Sequence, residues 1–258
     1  RAKVVVDATG LSAILANHLN LKQEYEHLKK IAVWTYFKNA EREPGPHGGA
    51  TIILHTKLKD SWFWFIPLRD NITSVGVVGN RDYMLDGRST PENTFAEELE
   101  LCGAMQRRLA AAEQVEKHRI AREFSYKTSR QSGDGWVLVG DAFGFIDPIY
   151  SSGVYFALKS GELAADAIVE GLQNNDLSAA QLGKWINDYS SGTQWIHKLV
   201  EAYYTNEFSF GKFLKGHPHH IGHLTDLLIG RIFHDTAGDI FDEMEPAMAE
   251  AVKMAIPK

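Results

Sequence analysis

The period of hydrophobic and polar positions changes along the chain, and each change marks an element. Val4-Val5-Val6 is a β-branched run that predicts a buried strand. Asp7-Ala8-Thr9-Gly10 follows as a tight turn into a short helix over the apolar-rich stretch Leu11–Leu19. A buried strand so near the first residue needs neighbours on both sides, so the chain reads as one that begins mid-fold. Ile31–Phe37 (IAVWTYF) predicts a strand, and Glu41–Gly49 (EREPGPHGG) crowds Pro and Gly into turn chemistry. Ala50–His55, Trp62–Pro67 and Ser74–Gly79 predict three more strands. Only short loops separate them, and a parallel crossover needs about a dozen residues or more, so they form an antiparallel meander.

Ser89-Thr90-Pro91-Glu92 starts a helix, with a hydroxyl cap and Pro in the first turn. That helix runs to about Ala112 with an interruption at Gly103, and His118–Thr128 predicts a further strand. Trp136–Val139 is a second short buried strand, running into Gly140-Asp141. From Gly153 to Leu172 the period turns helical, and Leu182–Tyr204, Ile221–Phe233 and Asp239–Ala255 continue it. Two nucleotide-type strands thus flank an antiparallel sheet, which is an interleaved α+β layout rather than a βαβ array.

Composition narrows the classes. The chain has 258 residues, 44% apolar and 23% charged, which is ordinary globular usage. Its 33 acidic residues outnumber 27 basic ones, for a net charge of -6. A duplex-binding protein usually carries a basic surplus, so nucleic acid is not an expected partner. The single cysteine, Cys102, cannot make an internal disulfide, which fits a reducing, cytoplasmic setting. No apolar run approaches the roughly 18–20 residues of a membrane span.

The richest segment is Trp136–Gly161, WVLVGDAFGFIDPIYSSGVYFALKSG. A strand delivers Gly140 and Asp141 at its carboxyl end. Glycine lets a ligand approach the backbone, and a carboxylate there can accept hydrogen bonds from sugar-alcohol hydroxyls. Asp147-Pro148 follows, then Ser151-Ser152-Gly153 opens a helix whose N-terminus favours an anion or the pyrimidine edge of a reduced flavin. Gly-Asp alone is more often a structural turn. Trp62 and Trp64, two residues apart, share one face of a strand, where a pair of large aromatics is usually plain core.

Taken together, these segments resemble the FAD-dependent halogenases, within the hydroxybenzoate-hydroxylase-like flavoproteins. GDAFGFIDPIYSSGVYFALKSG is similar to their second flavin-binding segment, and Val4–Gly10 (VVVDATG) to the strand and turn that precede it. Trp62-Phe63-Trp64-Phe65-Ile66-Pro67 matches the W-x-W-x-I-P signature at every fixed position, and Ala202-Tyr203-Tyr204 and Leu228–Phe233 resemble the carrier-protein-type members. The resemblance covers nearly the whole chain.

The resemblance implies a fold and a chemistry. The expected fold is a partial FAD-binding domain (1–20 and 129–172) interleaved with an antiparallel substrate domain (21–128), followed by a helical carboxyl-terminal region (173–258). The implied reaction uses reduced FAD, O₂ and a halide to form a hypohalous species that halogenates an electron-rich ring. The cofactor does the oxygen chemistry; the protein positions it and excludes water. A separate flavin reductase supplies reduced FAD, and the small aromatic substrate can be tethered to a carrier protein. Asp7, Gly10, Gly140, Asp141, Ala142 and Pro148 map to the cofactor, with Asp141 on the ribityl chain and Ala142 and Pro148 along the isoalloxazine. Ser152 and Gly153 map to the halide, and Trp62 and Trp64 to an aromatic wall on the flavin–substrate route.

Some positions depart from the family. No G-x-G-x-x-G occurs in the chain, and the resemblance places that loop and the catalytic lysine at the protein's amino end. The chain is therefore expected to be the carboxyl-terminal portion of a family member. Tyr150 stands where tryptophan-type members carry glutamate, which leans the substrate toward phenol or pyrrole, and Ser152 replaces the usual threonine. Two other readings stay open: a reductase or monooxygenase of the geranylgeranyl-reductase-like group, and a non-catalytic fragment. Finally, His217, His219, His220 and His223 crowd into HPHHIGH. Pro218 and Gly222 break helical spacing and no cysteine accompanies them, so the expectation is a solvated loop and no metal.

Overall fold

The computed structural model describes residues 1–25, 28–122 and 124–255. The chain divides into two compact units, Glu24–Ser125 and a second formed by 1–23 with 126–258. The architecture is mixed α+β.

Alternating apolar positions explain the sheet of the first unit. Its six strands run in the order Ile52–His55, Ser61–Pro67, Ile72–Asn80, Lys30–Lys38, then Glu113–Gln114, with Arg119–Arg122 also paired to Lys30–Lys38. Every pairing is antiparallel, so the expected meander is present. Ile31, Val33, Phe63, Phe65, Val75 and Val77 leave one face and are buried. Helices Arg81–Leu85, Pro91–Glu100 and Gly103–Leu109 cover that face through Met84, Phe95 and Met105. Each such side chain contributes roughly 1.5–3 kcal/mol by leaving water. The helix start is the one the sequence predicts: Thr90 accepts a hydrogen bond from the Asn93 N–H at 3.2 Å, and Pro91 opens the first turn. The predicted strand over 118–128 is a correction. It divides into Arg119–Arg122 in this sheet and Tyr126–Thr128 in the other unit.

The second unit has short strands and long helices. Val5–Asp7 pairs in parallel with Trp136–Leu138, which pairs on its other side with Ser132–Gly133. Among the described residues Val5–Asp7 has this one strand neighbour, and Val5 and Val6 are 52% and 46% exposed. Helix Gly153–Gln173 lays Ala164 and Ala167 against Val137 and Val139, together with Trp185 and Tyr189. Helices Ile186–Tyr204, Phe210–Gly216, His220–Leu228 and Asp239–Ala255 share a further core of Ile196, Leu199, Phe213, Leu227, Ile240 and Met244. Phe210–Gly216 escapes the sequence reading because it is short and sits between aromatic turns. Helix His220–Leu228 stops five residues before the predicted end, where Gly230 takes φ +88°. No helix among the described residues is long and apolar enough to cross a membrane.

Candidate functional site

The candidate site is built where strand Trp136–Leu138 hands over to helix Gly153–Gln173. Gly140 turns the chain with φ +58°, into a one-turn 3-10 helix, Gly140–Ala142. A Cβ at Gly140 would stand 3.2 Å from that of Ala157, so this glycine is required both by its backbone and by its approach to the long helix. Its N–H donates to Ser160 Oγ at 2.9 Å, and the Ser160 hydroxyl donates to the Phe156 carbonyl at 2.7 Å. The strand end is thus fastened to the helix one and two turns beyond its start.

Asp141 is aimed back at the helix start. A Cβ on Gly153 would lie 3.9 Å from Asp141 Oδ1. The carboxylate is half-buried, and burial lifts its pKa above the ordinary carboxylate range. Among the described residues no side chain or N–H donates a hydrogen bond to it. The Tyr126 hydroxyl donates to the Asp141 carbonyl instead, holding the backbone while leaving the carboxylate open.

The loop between them is pinned from the helical region. Asp147, 4% exposed, accepts from the Ile149 N–H and from the Tyr204 hydroxyl, both at 2.9 Å. Tyr150 donates through its hydroxyl to the Leu199 carbonyl at 3.0 Å. Pro148 is half-buried, and its carbonyl accepts from the Ser151 N–H at 3.0 Å. Ser151, not Gly153, takes the left-handed conformation, with φ +54°. A Cβ on Gly153 would meet Phe145 at 3.7 Å and Asp141 at 3.9 Å, ordinary contacts, so this glycine keeps space open in front of the helix rather than serving the turn. Ser152 precedes a 21-residue helix with no acidic side chain in its first turn, a setting that favours an anion.

Two of the expected cofactor residues turn their side chains inward. Ala142 is fully buried with Ala13, Ala16, Tyr126 and Leu138. Asp7 is 4% exposed, and its oxygens are occupied by its own turn: Thr9 N–H at 3.0 Å, Thr9 hydroxyl at 2.6 Å and Leu15 N–H at 2.7 Å. Burial alone would raise its pKa, but these hydrogen bonds prevail and hold it below the ordinary range. Gly10 turns with φ +64° and has nothing within 4 Å of where a Cβ would stand.

A cavity of about 140 Å³ opens behind the same helix start. Tyr150, Ser151 and Ser152 form one end; Phe156, Ile196, Leu227 and Ile232 supply apolar wall. About 150 Å³ of apolar space is enough to hold benzene, so the cavity suits one small aromatic ring.

In the other unit, Trp62 and Trp64 occupy the sheet face opposite Phe63 and Phe65, not the helix-covered core. Trp34, Gly76 and Trp64 stand in register on three neighbouring strands, and a Cβ at Gly76 would overlap the Trp64 indole. Trp64 donates from Nε1 to Ser74 Oγ at 3.1 Å and lies 6.2 Å from the Trp34 ring and 6.3 Å from that of Trp62. Trp62 is 2% exposed. The sequence reading missed Tyr126, Ser160 and Tyr204, whose hydroxyls fasten the site loop; isolated Ser and Tyr carry no signal of such long-range contacts.

Residues 1–211 match the family model described as tryptophan halogenase. The chain belongs to this family of flavin-dependent halogenases. It is 30% identical to the 1H-pyrrole-2-carbonyl-(peptidyl-carrier protein) chlorinase of Pseudomonas fluorescens, over 96% of this chain and 56% of the relative. It is 33% identical to the corresponding brominase of Pseudoalteromonas luteoviolacea, over 82% of this chain and 52% of the relative. The solved structure of a flavin-dependent brominase superposes with a TM-score of 0.86 at 29% identity, covering 98% of this chain and 64% of that one. This halogenase-family chain spans about half the length of the curated relatives it matches.

Proposed function

We propose that this chain carries the flavin- and substrate-facing part of an FADH₂-dependent halogenase whose substrate is a carrier-bound pyrrole or a ring of similar size. The observation that carries the reading is Asp141: a half-buried carboxylate with no internal donor, facing the open start of a long helix, with a ring-sized cavity behind that start. Such a carboxylate suits a ligand rich in hydroxyl donors, and the ribityl chain of FAD is one.

When bound, reduced FAD supplies the oxygen activation that turns a halide into a halogenating species, and a separate flavin reductase supplies it. The residues do the rest. Asp141 would accept ribityl hydroxyls, Gly140 would let the backbone come close, and Pro148 and Gly10 would hold the ring system and the nucleotide portion. The N–H groups of Ser152 and Gly153 attract the halide without adding a titratable group. The walls of Phe156, Ile196 and Leu227 orient the substrate ring and exclude water, which would otherwise consume the halogenating species. Trp64 contributes the aromatic surface that the W-x-W-x-I-P signature implies, and the buried Trp62 packs beside it. The activities of the two pyrrole-carrier relatives favour a carrier-bound pyrrole as substrate.

The test supplies reduced FAD, O₂ and a pyrrolyl-carrier conjugate and reads halogen incorporation by mass against halide concentration. Gly153→Val fills the space before Asp141 and Phe145 and should raise the halide requirement while the protein stays folded. An unchanged halide curve in folded Gly153→Val would remove the helix start from the halide site.

A further inference from the structure

The histidine-rich segment does not form the solvated loop its composition suggests. His217 ends helix Phe210–Gly216, His219 and His220 open helix His220–Leu228, and all three converge on Glu243 of helix Asp239–Ala255. The site lies outside the residues 1–211 matched by the halogenase family. We propose that His219, His220 and Glu243 bind a divalent transition-metal ion of the zinc type, with the His217 imidazole beside them as the adjacent donor.

Four observations carry this. The ligand atoms of His219, His220 and Glu243 all lie within 4.8 Å of one another. The imidazole Nε2 atoms of His219 and His220 stand 3.4 and 3.3 Å from one carboxylate oxygen, Glu243 Oε2, and that of His217 stands 3.6 Å from it. Zinc–nitrogen and zinc–oxygen bonds near 2.0–2.1 Å in a tetrahedron put neighbouring ligand atoms about 3.3–3.4 Å apart, so these nitrogen–oxygen separations are already those of a metal shell.

The second observation is His220 itself. It is 3% exposed, and its buried Nε2 has only the Glu243 carboxylate oxygen at 3.3 Å, out of hydrogen-bond geometry. A buried imidazole nitrogen without a partner costs free energy that an ion would recover. Third, the opposite ring nitrogens are engaged. His217 Nδ1 lies 3.0 Å from the Phe213 carbonyl, and His220 Nδ1 lies 2.9 Å from His223 Nδ1. A donor role for Nδ1 in each ring leaves Nε2 with its lone pair free, the arrangement by which outer partners orient metal-bound imidazoles. Fourth, the donor set is chemically selective. Two or three neutral imidazoles and one carboxylate suit zinc, copper or nickel and not magnesium or calcium, which prefer oxygen. The ion would tie three helices together over Phe213, Leu227 and Met244.

The experiment strips the chain with a chelator, then titrates Zn²⁺ by calorimetry and follows the thermal midpoint. A single Zn²⁺ should bind, raise the midpoint and resist competition by excess Mg²⁺. His219→Ala and Glu243→Gln, at side chains 58% and 45% exposed, replace ligands without disturbing the core. Each should weaken binding by at least about tenfold and shrink the midpoint rise, while His47→Ala, at a distant histidine, should change neither. Failure to bind a single ion, displacement by Mg²⁺, or equal affinity in the wild type and both ligand variants would overturn the site.

Discussion

The two units treat a buried acid in opposite ways. In Glu24–Ser125, Glu98 is fully buried and fully met: Arg88 donates to it at 2.6 Å, and the Ser61 hydroxyl reaches it from the neighbouring strand. In the other unit, Asp141 is half-buried and unmet, beside an open helix start. A buried charge that its own fold satisfies locks a scaffold together, whereas one left without donors is a demand that a ligand can fill. The same unit also contains the counterexample. Asp7 is as short-chained as Asp141, yet its oxygens are satisfied by its own turn, so the two aspartates differ in role because of their neighbours alone.

The largest effect that tests this comparison is Glu98→Ala. Removing one member of a buried ion pair leaves Arg88 uncompensated and should cost about 3–5 kcal/mol, read by urea unfolding. A loss below about 1 kcal/mol would mean that Glu98 does not lock its unit, and the contrast with Asp141 would lose its meaning. Next comes Gly140→Val. A left-handed backbone costs a branched residue about 1–2 kcal/mol, and the collision with Ala157 adds roughly 1–3 kcal/mol of overpacking, so stability should fall in unfolding curves even without ligand. A neutral result would show that the strand end is free to move away from the helix.

The smallest effects separate the two aspartates by pH. Asp7 has a folded pKa held below its ordinary value near 3.8, so its stabilisation is present above that value and is lost as pH falls through the folded pKa. Asp141 is shifted the other way. Its charged form is penalised, so it lowers stability above its folded pKa, and the penalty is relieved as pH falls through that value. Asp7→Asn should therefore destabilise at neutral pH by about 1.5–3 kcal/mol and flatten the acid limb. Asp141→Asn should leave stability equal or slightly higher there while weakening FAD binding about tenfold or more, as one charge-assisted hydrogen bond predicts. Equal destabilisation by both would make Asp141 structural.

Local pattern carried much of this molecule. Period-two alternation located the central strands, because a half-buried sheet forces it. Thr90-Pro91 located a helix start, because capping is a contact over three residues. The W-x-W-x-I-P run and the Gly-Asp to Ser-Ser-Gly segment pointed to the halogenases, since the residues that carry a family's signature are contiguous. The pattern misled where pairing depends on what lies across the fold. The stretch 118–128 looks continuous but serves two sheets.

The sequence by itself therefore determined the family, the α+β class and the segment that presents Asp141, Ser152 and Gly153, because each is written in residues close together along the chain. Only the tertiary structure decided that Ala142 and Asp7 face inward and that Gly153 leaves space while Ser151 bears the turn. It also decided that Tyr204 and Leu199 hold the loop from the helical region, and that Glu243, twenty residues beyond HPHHIGH, completes the histidine cluster. Those outcomes rest on side chains far apart in the chain meeting at distances of about 3 Å, and no local periodicity encodes such a meeting.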